Sequence, residues 1–69
     1  MRPYIALTRR ADEWWVIRVP ELETDTFRPR SQVASREQVD AEVHEMLSTF
    51  AGVTGAEVRV VEVADWPRG

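Results

Sequence analysis

Apolar and polar positions alternate weakly from Tyr4 to Arg9, a period of two that predicts a first strand, with Ala11, Asp12 and Glu13 as a polar connector behind it. The next run, Trp14-Trp15-Val16-Ile17-Arg18-Val19, is the densest aromatic and β-branched stretch of the chain and predicts a second strand. Successive side chains of a strand point to opposite faces, so Trp15, Ile17 and Val19 share one face while Trp14, Val16 and Arg18 share the other. A strand that is apolar on both faces belongs inside a sheet. Pro20 stops it, Glu21 to Asp25 form a polar loop, and a weaker third strand is expected over Thr26 to Val33. Pro29 has no N–H to give to a ladder, so this strand belongs at a sheet edge or carries a bulge.

The period then changes. Ser35 and Gln38 have the spacing of a capping box, in which each side chain satisfies the other's free backbone N–H at the start of a helix. Val39, Val43, Met46, Leu47 and Phe50 recur at steps of three and four and form one apolar stripe, while Asp40, Glu42, His44 and Glu45 fall largely elsewhere. Gly52 is placed to end the helix. The valine-rich segment from Glu57 to Val63 predicts a fourth strand, and residues 65–69 are expected to form a short flexible tail. A right-handed crossover lays the last strand beside and parallel to the first. The predicted fold is therefore α+β, βββαβ: a four-stranded mixed sheet in spatial order 3-2-1-4 with one helix packed on one face. That helix leaves the face of Trp14 and Val16 uncovered, and an exposed apolar patch marks an interaction surface unless long neighbouring side chains close over it.

Composition sharpens this picture. A chain of 69 residues reads as a single domain, and at this size only about 60% of the unfolded chain's surface is buried on folding. A core so small rarely supplies more than about 3–5 kcal/mol. There is no cysteine, so neither disulfides nor thiolate metal sites can add to it, and a reducing, cytoplasmic setting is expected. Self-association, most simply a homodimer, or partner binding is the remaining source of stability. The N-terminus has no apolar leader, and no stretch approaches the roughly 20 apolar residues of a membrane span, so no membrane contact is expected. The net charge of -3 argues against a basic field over the whole molecule.

The stretch Trp14-Trp15-Val16-Ile17-Arg18-Val19-Pro20-Glu21-Leu22, entered from a hairpin and followed by a Thr-containing edge strand and a helix, resembles the HicB antitoxin signature, a W-x-V-x-x-P-E-L-like segment closing the second strand of a partial ribonuclease-H-like fold. Glu23 and Thr24 stand where members of that family have Pro-Gly. The resemblance implies a non-catalytic antitoxin that binds and blocks a small HicA-type mRNA-cleaving toxin. It is to the short form, expected to lack the DNA-binding tail that lets longer members repress their own operon.

A ribonuclease-H-like outline raises the question of a nuclease, which would need carboxylates converging on Mg²⁺. Asp12 and Glu13 fall at a hairpin, and Glu21, Glu23 and Asp25 in a loop, so a solvated surface is expected instead. His44 is the only histidine and lies among polar helix neighbours. With no cysteine, no Gly-rich phosphate loop and no catalytic pair, neither enzymatic activity nor a cofactor or metal is expected. The arginines, among them Arg9, Arg10, Arg18, Arg28, Arg30 and Arg36, admit three uses: guarding a sheet edge against aggregation, meeting carboxylates on a partner protein, or, with Trp14, holding single-stranded nucleic acid. The partner-binding surface is assigned to Trp14, Val16, Arg18, Arg28 and Arg30. Its occupant is expected to be a toxin-like or other protein. The alternative is an orphan HicB-like regulator whose Arg/Trp surface takes another protein or single-stranded nucleic acid.

Overall fold

The computed structural model describes residues 2–66. Its elements are β1 (Tyr4–Ala11), β2 (Trp14–Arg18), β3 (Arg30–Val33), α1 (Val39–Ala51) and β4 (Val58–Glu62), with short 3-10 turns at Pro20–Leu22 and Arg36–Gln38. The four strands form one sheet in the order β3-β2-β1-β4. β2 is antiparallel to both neighbours, and β4 runs parallel to β1. This is the α+β, βββαβ architecture that the periodicities predict, with the aromatic strand inside the sheet and the Pro29 strand at its edge.

Local chemistry sets the turns between elements. The β1–β2 hairpin closes on Asp12, whose φ of 57 is a left-handed conformation that Asp tolerates better than most non-glycine residues. The third strand is shorter than the sequence suggests. Residues 26–29 are held out of the ladder by a compact turn in which the Thr24 N–H donates to the Phe27 carbonyl and the Phe27 N–H donates to Thr24 Oγ1. Pro29, buried and without an N–H, then delays the strand to Arg30. At the helix start, the Ser35 N–H donates to Gln38 Oε1 in the expected capping box, but a 3-10 turn intervenes and regular α-helix begins at Val39. Gly52, with φ 64, ends the helix; its N–H bonds the Ser48 carbonyl and the Val53 N–H bonds that of Leu47.

The core lies between α1 and one face of the sheet. Ala6, Ile17, Val19, Val39, Val43, Met46 and Leu47 are buried, with Tyr4, Trp15, Val33, Val58 and Val60 packed around them. Thr8 is the one buried polar residue among the described residues, and its hydroxyl donates to the Val16 carbonyl at 3.0 Å, so it is not left as an orphan donor in the core. Phe50 departs from its expected place. It continues the apolar stripe of α1 but stands beyond the sheet, 45% exposed, in an edge-to-face contact with Phe27 at 5.4 Å. Trp15 occupies the core face as its phase requires, though at the rim, half-buried with its ring 6.0 Å from the Arg10 guanidinium.

Ile17 is wholly buried at the centre of β2, whereas Trp14 is 43% exposed on the opposite face. Ile17→Ala is expected to cost about 2–5 kcal/mol, most of the stability of so small a domain. Trp14→Ala should change it by no more than about 1 kcal/mol. Urea unfolding followed by far-UV circular dichroism measures both.

Candidate functional site

The strand register builds the face that α1 leaves uncovered. Ala11 sits beside Trp14, Arg9 beside Val16 beside Gln32, and Leu7 beside Arg18 beside Arg30. On the other side β4 adds Arg59 next to Ile5 and Val61 next to Leu7. The face is thus crossed by rows that mix arginines with apolar side chains, and Arg18 and Arg30 sit side by side in one of them. Val16 is half-buried and Trp14 stands at one end of β2.

Of the five residues assigned to partner binding, the structure gathers three. Arg18, Arg28 and Arg30 line one open cleft of about 540 Å³ at the end of β2 away from Trp14, together with Pro20, Glu23, Thr24, Asp25 and Trp66. Arg28 does not share a strand face with Arg30, because it precedes Pro29 in the loop and reaches the cleft from there. Trp14 lies four residues along β2 from Arg18, about 13 Å at strand rise, so it is not a neighbour of the Arg28 and Arg30 pair. Val16 lies between the two ends.

Arg18 and Glu23 form a bidentate ion pair, Nε to Oε2 at 2.7 Å and Nη2 to Oε1 at 2.8 Å. The guanidinium's hydrogen bonds hold the Glu23 carboxyl below its usual range, opposed by partial desolvation and assisted by the charges of Arg18, Arg30 and Arg28. The same pairing raises Arg18 above its ordinary value. Arg18 is therefore committed to the protein's own carboxylate, while Arg28 and Arg30 have no ion-pair partner among the described residues.

Trp66 completes the site. The Arg9 and Arg30 guanidiniums lie 5.7 and 5.6 Å from its ring centroid; these arginines rise from β1 and β3, the strands flanking β2, and the indole borders the cleft at the Arg18 end of β2. The Nε atom of Arg9 is buried there without a hydrogen-bond partner. The tail proposed for residues 65–69 thus has one anchored member, and its residues 67–69 lie outside the described residues. No periodic pattern reaches Trp66. The only sequence signal was an isolated indole shortly after the last strand.

Charge is divided between the two faces. All nine cationic side chains are arginine. α1 carries Asp40, Glu42 and Glu45 and no basic residue, whereas Arg9, Arg18, Arg30 and Arg59 lie on the uncovered sheet face. His44 is exposed on α1, and among the described residues no group of three His, Asp or Glu side chains is placed to hold a metal ion. Among them, too, no helix is long and apolar enough to cross a membrane.

The Arg18–Glu23 pair generates a pH prediction. Unfolded, Glu23 titrates near the ordinary value of about 4.3; folded, it titrates lower, so the pair's contribution is present above that ordinary value and is lost as pH falls through the depressed one. Glu23→Gln should therefore be destabilised relative to the parent by about 1 kcal/mol near neutral pH, with the difference closing in acid. Thermal melts across the acidic range measure it. A scan against protein-family models and searches of curated proteins and of solved structures found no match to the chain.

Proposed function

We propose that the chain is a non-catalytic protein-binding module of the antitoxin kind, acting in the cytoplasm, with the uncovered sheet face around Trp14 and Val16 as its contact surface. The observation that carries this reading is Trp14: a large indole, 43% exposed, held on a regular interior strand with no helix above it. Ordered aromatic side chains with arginines nearby are the usual anchors of protein interfaces, because they bury much area and lose little side-chain freedom. The most perturbed carboxylate, Glu23, is clamped by Arg18 and not aimed at a reacting group, which supports binding over catalysis.

The HicB-like segment supplies the class of partner. Its Pro20–Leu22 portion forms the 3-10 turn that leaves β2, with Leu22 half-buried against the core, so the segment shapes the loop that delivers Glu23 and Thr24 to the cleft. The partner on this reading is a small RNA-cleaving toxin. Self-association as a homodimer belongs to the same proposal, since Trp14 and Val61, 38% exposed, leave apolar surface on a minimal core.

Co-expression with a small RNA-cleaving protein encoded beside it is expected to yield a complex in which RNA cleavage is suppressed. Trp14→Ala should weaken that complex by at least about 2 kcal/mol while leaving the melting temperature nearly unchanged. Light scattering at tens of micromolar reports the dimer. A fully formed, fully inhibited complex with Trp14→Ala would remove Trp14 from the interface.

A further inference from the structure

We propose that the cleft at the far end of β2 from Trp14 binds the phosphodiester backbone of single-stranded nucleic acid. This goes beyond the protein-partner reading and does not rest on it, because the cleft and Trp14 occupy opposite ends of the strand.

The argument begins with charge. Within reach of the cleft, Arg9, Arg18, Arg28 and Arg30 face two carboxylates, Glu23 and Asp25, and Arg18 already holds Glu23 in a bidentate fork. Glu23 registers the field directly: after Arg18, the charges of Arg30 and Arg28 further favour its ionised form. What remains is a pair of forked guanidiniums with no anion of their own among the described residues, and an arginine fork matches phosphate oxygens two at a time.

The indole selects the ligand. Trp66 borders the same cleft, and its ring, cross-braced by Arg9 and Arg30, offers a π system beside the phosphate-binding groups. Arginines along the backbone track with an aromatic ring beside them are what single-stranded nucleic acids use, and a four-stranded sheet with one face free of helices is a platform on which bases are splayed. The cleft, about 540 Å³, falls within the range of sites that hold nucleotide-sized ligands.

Net acidity does not oppose this. α1 packs on the other face of the sheet, and none of its carboxylates lines the cleft; Glu42 and Glu45 meet Arg30 only in a separate groove at the β3 edge. At physiological salt the screening length is about 8 Å, so exposed acids farther than this from the cleft act only weakly on a strand bound there.

Fluorescence anisotropy of the full chain with fluorescein-labelled oligo(U) and oligo(dT) of about ten nucleotides tests the proposal, a length that fits single-stranded sites. Saturable binding is expected, with log K falling against log salt at a slope of about -1.4 to -2.1, as two or three phosphate contacts require. Equal affinity for the two strands assigns the features they share, phosphodiester and stacked pyrimidine, and a preference for oligo(U) that persists against oligo(dU) adds a 2′-hydroxyl contact. Arg28→Gln combined with Arg30→Gln should weaken binding at least tenfold with an unchanged circular dichroism spectrum, whereas Trp14→Ala should leave it intact. No binding by either strand, or binding indifferent to the two arginine substitutions, would overturn the proposal. A glutamate-rich peptide that displaces oligo(U) at equal concentration would also overturn it, assigning the cleft to an acidic protein segment. Loss of the partner complex in Trp14→Ala alongside intact nucleic-acid binding, or the reverse in the arginine pair, tells the two readings apart.

Discussion

One helix packs against a four-stranded sheet, and its dimensions fix what it can cover. α1 has 13 residues and so is about 20 Å long, while four strands spaced about 4.8 Å apart make a sheet of similar width. The helix can therefore roof one face and nothing of the other. β2 is the strand on which this constraint falls hardest, because it is interior and apolar on both sides. Its Ile17 side is sealed under Val39, Val43 and Leu47, and its Trp14 and Val16 side must be managed without a second layer.

The chain manages that side with arginine and with Trp66. Arg9, Arg18 and Arg30 stand beside Val16 and Leu7 in the register of the uncovered face, where Val16 and Leu7 are half-buried without a second helix, and long apolar stems of this kind can shield such neighbours. Trp66 then lies within cation–π distance of two of those guanidiniums. A face closed this way is only partly dry and strongly cationic. Arg18 spends its donors on Glu23, while Arg28 and Arg30 have no ion-pair partner among the described residues. The requirement to cover β2 and the capacity to bind thus arise from the same side chains.

Where periodicity governed the outcome, the sequence was legible. The strand order, the interior place of β2, the face assignments of Trp14 and Trp15, the capping box at Ser35 and the glycine stop at Gly52 all follow from period and capping chemistry. Failures came where side chains of distant segments compete. Thr24 draws Phe27 into a local turn and shortens β3, Phe50 leaves the core for Phe27, and Arg28 enters the cleft from a loop instead of a strand. None of these has a period to read. Of the five assigned surface residues, Arg18, Arg28 and Arg30 do converge, but Trp14 is a strand-length away, because a shared face does not make two residues neighbours.

Trp66 shows how the fold distributes charge that the summed sequence averages out. Summed over the chain, acids outnumber bases and the arginines read as edge protection. The fold then places α1 with its acids on one face and four arginines on the other, and Glu42 and Glu45 meet Arg30 only in a groove at the β3 edge. An indole following β4 reaches back over the sheet because cations are already there to hold it from two strands at once. Trp66 thus stands beside the arginines of the uncovered face. On the nucleic-acid reading, a polyanion with bases uses both the guanidiniums and the ring, and an isolated acidic side chain uses only the guanidiniums.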